Sequence, residues 1–338
     1  MTVIERTAFP RDRPGETLHP GVRSALASLG AGEVLDAPEL VRHEGVWSSV
    51  EGRLVPYGGD SADPWRGYQI ERSRLDPDLL ARAIALGAEL SWRCRAVKPL
   101  LERGRVTGVE TSRGRVRSRY VVDAAGAGHW LARRLRLGLV RESPPLRARY
   151  GLRVGVCAGC EEAPRFIVDE RGWTYIARIG AAVYSWTRLD LSGAPTPADF
   201  VPVELRDLDP AGGSRSADVS WRQARVTAGP GFFACGDAGA LLDPAASQGV
   251  LRALLAGATA GRLIGECVVG RRSERAAAAH YRGWLTAAHI RELLRLRTLY
   301  ARRPDAPPWV RGYLPGRDSA RRQAPTMARI PLPALGDA

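Results

Sequence analysis

The residues best suited to bind a ligand lie in one stretch, from 231 to 261. A short apolar run ends at Gly236 and Asp237, a loop carries Pro244, and a helix of small residues opens near Gly249. Backbone N–H groups and the dipole at a helix start attract anionic groups, and a glycine lets the backbone approach a ligand closely. The Asp237 carboxylate is placed to accept hydrogen bonds from sugar hydroxyls. An ordinary strand–turn–helix needs no such combination, so this stretch predicts a binding site.

This stretch resembles the second flavin-contacting motif of the FAD-dependent oxidoreductases and monooxygenases. That superfamily includes the para-hydroxybenzoate hydroxylases, the geranylgeranyl reductases and the flavin-dependent halogenases. The resemblance implies that Gly236 and Asp237 hold the ribityl and diphosphate part of FAD. It also implies that Pro244 and Gly249 lie beside the isoalloxazine ring. One departure is Leu251, which stands where many hydroxylases have Asn.

Two further segments resemble flavin-contacting parts of the same superfamily. Residues 120–126 read as a buried strand ending in Asp-Ala-Ala-Gly, like a strand end that lies against the adenosine diphosphate, which makes Asp123 and Gly126 cofactor candidates. Arg72 follows a strand and precedes an Asp-x-x-Leu-Leu helix, as an FAD-contacting arginine does in the superfamily. We read that helix as starting near Leu75 with Pro77 close to its start. His129 departs from the Ser that commonly follows the glycines, and the sequence assigns it no role.

The first residues, up to Arg6, predict a strand that ends in an acid, Glu5. In a dinucleotide fold such an acid binds the adenosine ribose and follows a glycine fingerprint by roughly 20 residues. Glu5 and Arg6 are therefore cofactor candidates, but no such fingerprint is found in the 338 residues. We expect a start site assigned too late. The alternative is a true truncation that gives a weak or inactive flavoprotein.

Catalytic candidates come from a loop and two aromatic strands. Residues 9–20 resemble the segment that passes close to the flavin and the substrate, which points to Glu16, with Gly15 and His19 beside it. Trp173 and Trp186 lie in alternating strands, where aromatic side chains facing a pocket would stack on a planar substrate. The competing interpretation, that these tryptophans fill a core, is about equally favoured.

Composition narrows the class of protein. The chain is 45% hydrophobic and 25% charged, with a formal net charge of +14 carried by arginines spread along its length. There is no nucleic-acid motif, no apolar run long enough to span a bilayer and no signal-peptide pattern, so a cytoplasmic protein is expected. Lys98, the only lysine, lies in the wrong region for a halogenase's catalytic lysine. Cys157 and Cys160 form a C-x-x-C that we interpret as buried small residues, not as a metal or redox site.

These elements predict an α/β fold of two domains with C-terminal helices. We expect a Rossmann-like FAD-binding domain that lacks its first βαβ element, an inserted antiparallel sheet for the substrate, and a Pro-rich tail. The ranges are 1–45, 70–140 and 225–270 for the FAD-binding domain, 46–69 and 141–224 for the substrate domain, and 271–338 for the C-terminal part.

The resemblance implies an FAD-dependent monooxygenase that hydroxylates an aromatic ring, with NAD(P)H as electron donor. Some segments look most like flavoproteins that mature tryptophan-derived quinone cofactors, which would make the substrate a Trp of a partner polypeptide. Two alternatives stay open: a flavin-dependent reductase of isoprenoid double bonds, and a non-catalytic binding protein. No metal is expected.

Overall fold

The computed structural model describes residues 1–9, 16–60, 62–160, 163–303 and 305–311, without the side chains of Glu16 and Arg311. The helices are α1 (Gly21–Ser28), α2 (Arg72–Ala85), α3 (Trp130–Arg134), α4 (Gly249–Val268), α5 (Glu274–Ala301) and α6 (Pro308–Arg311). The strands are β1 (Thr2–Glu5), β2 (Glu16–Leu18), β3 (Val41–His43), β4 (Gly45–Ser48), β5 (Arg53–Pro56), β6 (Gly67–Ile70), β7 (Glu89–Trp92), β8 (Ala96–Glu102), β9 (Arg105–Thr111), β10 (Gly114–Arg117), β11 (Val121–Asp123), β12 (Leu139–Arg141), β13 (Arg147–Val154), β14 (Arg165–Val168), β15 (Gly172–Arg178), β16 (Val183–Asp190), β17 (Asp209–Pro210), β18 (Arg215–Asp218), β19 (Arg222–Ala224), β20 (Ala228–Gly229), β21 (Phe232–Ala234) and β22 (Ala240–Leu241).

Two kinds of sheet make up the chain. An eight-stranded sheet runs in the order β17-β13-β16-β15-β14-β4-β5, with β18 also paired to β13, and it is antiparallel apart from the β4–β14 pair. Parallel pairing joins β1 to β7 and β11 to β21. The predicted α/β fold with an antiparallel sheet and C-terminal helices is confirmed, whereas the division into domains stays a prediction.

The parallel pair β11–β21 positions the site. Every residue of β21 is buried, as a strand covered on both faces requires. Val121 lies opposite Phe232 and Asp123 opposite Ala234, so both strands end at the same edge of the sheet. The loops that follow the two strands therefore meet.

Two edges of these parallel strands are open. In the described part of the chain, β1 pairs only with β7, and β11 only with β21. Ile4 of β1 packs against the same core cluster as Val121 and Phe232, which places β1 beside the β11–β21 pair. An open strand edge presents unpaired N–H and C=O groups that a further strand can bind.

The helices pack on this frame through small residues. α4 lies against α1 and α5, and its residues Ala256 and Ala260 belong to the same core cluster as Tyr281 of α5. No helix in the described ranges is long and apolar enough to cross a membrane.

Candidate functional site

The loops after β11 and β21 meet, as parallel strands require. The N–H of Cys235 donates to the Asp123 carbonyl at 2.8 Å, which extends the pairing to the ends of both strands. Beyond that point Gly126–Gly128 and Gly236–Ala238 each form a single 3₁₀ turn, and the two turns are in contact. The structure thus brings together four of the predicted cofactor residues: Asp123, Gly126, Gly236 and Asp237.

Asp123 organises its own loop. Its side chain is 3% exposed, and its two oxygens accept hydrogen bonds from the N–H groups of Ala125 (2.9 Å) and Leu131 (2.8 Å). This folds the chain so that Gly126 takes a φ of +79°, where a Cβ would meet no heavy atom of the described chain within 4 Å. The loop therefore leaves room for a ligand beside its backbone. Direct contact of Asp123 with a cofactor stays a prediction.

His129 ties the two loops together, a role that the sequence did not reveal. Its Nδ1–H donates to the Ala238 carbonyl at 2.9 Å, and its Nε2 accepts from Arg222 Nε at 3.1 Å. Arg222 also donates to the Ala127 carbonyl at 2.9 Å. Burial lowers the pKa of His129, and the charge of Arg222 lowers it further, so the ring is held neutral. The only signal in the sequence was that His129 replaces the usual Ser.

Gly236 and Asp237 lie against the first turns of α4. Gly236 has a φ of +56°, and a Cβ there would come within 3.2 Å of the Ala253 side chain. Asp237 is half-buried, and its negative charge raises the pKa of Arg252, which burial lowers. The left-handed backbone and the close approach of Ala253 thus both favour a glycine here.

A buried carboxylate, Asp243, anchors the loop before α4. It accepts hydrogen bonds from Ala245 N–H (2.9 Å), Trp221 Nε1 (2.7 Å) and the Tyr300 hydroxyl (2.8 Å), and Trp173 Nε1 donates to that hydroxyl at 2.8 Å. Burial raises the pKa of Asp243 to about 6, because it outweighs the opposite effect of these hydrogen-bond donors, which lower the pKa. The loop is therefore held by β15, by α5 and by the residue before β19.

The loop presents an open helix start to solvent. Pro244 and Gly249 are exposed, and a Cβ on Gly249 would have no heavy atom of the described chain within 4 Å. Ser247 has a left-handed φ of +55°, and Gln248 supplies no side-chain hydrogen bond to the first N–H groups of α4. Such N–H groups are available to an anionic or carbonyl-bearing ligand.

The remaining cofactor candidates lie on other elements. Glu5 ends β1 and accepts from the N–H (2.8 Å) and hydroxyl (2.7 Å) of Thr7, while Arg6 is exposed. Arg72 is the first residue of α2 and pairs with Asp76 at 2.7 Å. The helix begins three residues earlier than predicted, and Pro77 lies inside it. The roles of Glu5, Arg6 and Arg72 remain predictions.

The catalytic candidates are only partly described. Gly15 lies outside the described residues, and Glu16 is described only as backbone in β2, paired with Ile70. His19 Nδ1 accepts from Gly21 N–H at 3.1 Å, and a Cβ on Gly21 would lie 3.4 Å from Leu251, so this turn borders the start of α4. A position of this segment close to the flavin and the substrate stays a prediction.

Trp173 and Trp186 are both enclosed by other side chains. They are 1% and 2% exposed and belong to two different core clusters. Trp173 supports Tyr300 and through it Asp243, whereas Trp186 packs against Phe200. A role in stacking on a substrate stays a prediction and would require these rings to become accessible.

Other residues singled out by the sequence lie away from the two loops. Lys98 is on β8, with a side chain 58% exposed and 3.4 Å from Glu110. Cys157 and Cys160 are buried against Trp186 and Leu205, with reduced thiols. In the described ranges no group of His, Cys, Asp and Glu is arranged to hold a metal ion.

The chain is similar to a lipid reductase and to a flavin-dependent halogenase. It is 29% identical over 240 residues to digeranylgeranylglycerophospholipid reductase 2 of Methanopyrus kandleri, covering 63% of this chain and 59% of the reductase. It is 26% identical to a flavin-dependent halogenase of Armillaria mellea, covering 89% of this chain and 67% of the halogenase. The chain thus spans about three fifths of the reductase and two thirds of the halogenase. No protein-family profile matches it.

Solved structures give the same fold. The myxobacterial chondrochloren halogenase CndH matches with a TM-score of 0.83 at 21% identity, covering 95% of this chain and 82% of that one. The flavin-dependent halogenase CmlS matches with a TM-score of 0.78 at 23% identity, covering 95% and 64%.

The similar sequences and the shared fold therefore match the FAD-dependent oxidoreductase and monooxygenase superfamily. Within it, the similar proteins are flavin-dependent halogenases and a geranylgeranyl reductase. The resemblance predicted from the motifs is confirmed at that level. The comparisons give no support to the narrower likeness to quinone-cofactor-maturation flavoproteins.

Proposed function

We propose that the chain is an FAD-dependent oxidoreductase that acts as a monooxygenase on a small aromatic molecule. The observation that carries this proposal is the convergence of three backbone features: the turn at Gly126, the turn at Gly236 and the uncapped start of α4 at Gly249. Each leaves polar backbone groups beside a residue without a Cβ. A long ligand with phosphate, polyol and planar parts could bind along these three backbone features.

The residues present fit FAD. The half-buried Asp237 carboxylate accepts hydrogen bonds from sugar-alcohol hydroxyls, with Arg252 balancing its charge. The start of α4 favours negative charge and carbonyl oxygens, which supports the proposal that the ring system binds near Pro244 and Gly249. When bound, FAD supplies two-electron redox chemistry and reaction with O₂. The chain's part is to bind it, hold it in orientation and keep water from its reactive edge.

The aromatic substrate and NAD(P)H as electron donor are the finer parts of the proposal. Support for a small-molecule substrate comes from the half-buried Tyr175 of β15, in the eight-stranded sheet, and from the flavin-dependent halogenases among the similar proteins. The Tyr175 hydroxyl donates to Thr17 Oγ1 at 2.7 Å, which links this sheet to β2, where Glu16 lies. A substrate between the sheet and the start of α4 would contact both.

A second candidate is a flavin-dependent reductase of carbon–carbon double bonds, favoured by the similarity to the geranylgeranyl-type reductase. The two activities differ in their use of O₂. A monooxygenase incorporates one atom of ¹⁸O₂ into its product, while a reductase adds hydrogen and works without O₂. Turnover under ¹⁸O₂ and under nitrogen, followed by mass spectrometry, separates them.

Flavin binding is tested by titrating the protein with FAD and following the quenching of flavin fluorescence. The variant Gly249→Val projects a side chain into the space at the start of α4 without meeting the protein. We expect its FAD affinity to fall at least about tenfold, while Gly283→Val, at an equally open position on α5, keeps the parent affinity.

The titration is also run on a form extended to the next upstream in-frame start. Binding by either form that Gly249→Val weakens supports the proposal. Equal FAD affinity in Gly249→Val and Gly283→Val, or no FAD binding by the given or the extended form, overturns the proposal and favours a non-catalytic binding protein.

A further inference from the structure

A cavity of about 60 Å³ lies between α4 and α5. Its apolar side is formed mainly by Leu255, Trp284 and Leu285, and its polar side by Gln248, Arg252, His289, Arg291 and Glu292. Among the predicted cofactor residues only Gly236 lines it. Its walls therefore come mostly from parts of α4 and α5 to which neither the motifs nor the comparisons assign a role.

Four buried polar atoms on these walls are unsatisfied. Arg252 Nε, Gln248 Oε1, His289 Nδ1 and Glu292 Oε2 lack a hydrogen-bond partner in the described part of the chain. Gln248, His289 and Glu292 are only 4%, 2% and 9% exposed. Buried polar atoms in native proteins are almost always paired, so four orphans around one cavity indicate a bound polar group.

The charges around the cavity define that group. The acidic side chains near it already have partners: Glu142 Oε2 lies 2.6 Å from His289 Nε2, and Glu292 lies 3.9 Å from Arg295. In the neutral ring, with Nε2–H directed at the Glu142 carboxylate, His289 Nδ1 is left as an acceptor. The orphan atoms thus comprise one guanidinium donor, on Arg252, and three acceptors.

This set is complementary to an α-amino acid. A guanidinium binds a carboxylate through its fork of N–H donors, and an ammonium group carries three N–H donors for three acceptors. The enclosed volume accommodates a head group of a few heavy atoms, since it exceeds the space for one water several-fold. Trp284 and Leu255 offer apolar surface to a side chain at the mouth.

We propose that the cavity between α4 and α5 is a binding site for an α-amino acid with an apolar side chain. The carboxylate binds Arg252, and the ammonium group binds Gln248 Oε1, Glu292 Oε2 and His289 Nδ1. The side chain lies against Trp284. This inference goes beyond the proposed flavin chemistry and does not require bound flavin; the two proposals share Arg252, which also balances the charge of Asp237.

The test is isothermal titration calorimetry of the protein with L-phenylalanine, 3-phenylpropionate and 2-phenylethylamine. 3-Phenylpropionate lacks the ammonium group, and 2-phenylethylamine lacks the carboxylate. We expect L-phenylalanine to bind at least about tenfold more tightly than either, because each loses one set of charge-assisted bonds. Equal binding of all three, or no heat with L-phenylalanine, overturns the proposal; in the latter case water fills the cavity.

Variants locate the site. Arg252→Met should weaken L-phenylalanine binding at least about tenfold, whereas Arg262→Met, at an exposed arginine on the same helix, should not. Because Arg252→Met removes a buried charge, Ala288→Leu serves as a second variant that fills the cavity and leaves every polar group in place. Unchanged binding in Ala288→Leu contradicts the proposal. Displacement of L-phenylalanine by FAD would also contradict it, since the cavity would then belong to the flavin site.

Discussion

Removing the His129 side chain should destabilise the protein more than any exposed histidine substitution. In His129→Ala the Ala238 carbonyl loses its donor, which is worth about 1 kcal/mol. Arg222, which is 4% exposed, keeps a buried Nε–H without an acceptor, at a cost of about 1.5–3 kcal/mol for a charged donor. The sum is about 2.5–4 kcal/mol.

The left-handed backbone of His129, with a φ of +44°, adds a second expectation. Asn tolerates this conformation better than Ala and can bond to one of the two partners. His129→Asn should therefore lose less stability than His129→Ala, by roughly 1 kcal/mol.

Chemical denaturation in urea at pH 7.5 measures these differences. His280→Ala, at an exposed position on α5, is the matched control and should change the free energy of unfolding by less than about 0.5 kcal/mol. If His129→Ala costs no more than His280→Ala, the two loops are not held together by this residue.

The same residue should give a pH dependence of known sign. Burial holds the pKa of His129 below its usual 6.5, so the folded state favours the neutral ring. Its contribution to stability is present above the unfolded pKa and is lost as the pH falls through the folded pKa. Subtracting the pH profile of His129→Asn from that of the parent should show this loss. A flat difference would refute a buried neutral imidazole.

Three other substitutions or measurements test the site. Burial raises the pKa of Asp243 to about 6, so this residue stabilises the fold least above that pH. Asp243→Asn should therefore lower the free energy of unfolding less at pH 8 than at pH 4.5. The reverse order in urea unfolding would contradict a raised pKa. Gly126→Ala and Gly87→Ala should each lower the free energy of unfolding by about 1 kcal/mol, because both glycines have a positive φ and neither Cβ would clash. Only Gly126→Ala should weaken FAD binding in the fluorescence titration. Cys160, whose pKa burial raises to about 12, should react with a disulfide reagent only on unfolding, after the half-buried Cys267; mass mapping that finds Cys160 labelled first would contradict this.

The sequence predicted the parts of the site that rest on local signals. Asp123 and Gly236 each follow a buried apolar run, and parallel strands bring such ends together wherever the sheet forms. The fold class followed from the same strand ends. These predictions needed only short-range patterns and the geometry of a parallel pair.

Contacts between distant segments were beyond the sequence. His129 binds Ala238, 109 residues away, and Arg222, 93 residues away, so no local pattern marks the pair. Strand alternation placed Trp173 on one face of β15, but not the Tyr300 hydroxyl of α5 that its indole meets. The start of α2 was missed for a local reason: the Glu71 carbonyl accepts from the N–H groups of Arg74 and Leu75, so the helix begins ahead of Pro77.

Asp243 shows why the loop at Pro244 needs support from three elements. A buried carboxylate is costly unless its oxygens are hydrogen-bonded, and here Trp221, Tyr300 and the Ala245 N–H all donate to it. Apolar packing alone would fill the same space but would not fix the turn, because only a directional acceptor orients the Ala245 N–H. The loop and the start of α4 are therefore held in place by the fold itself. Because this site is preorganised, less free energy is spent on ordering the protein when a ligand binds there.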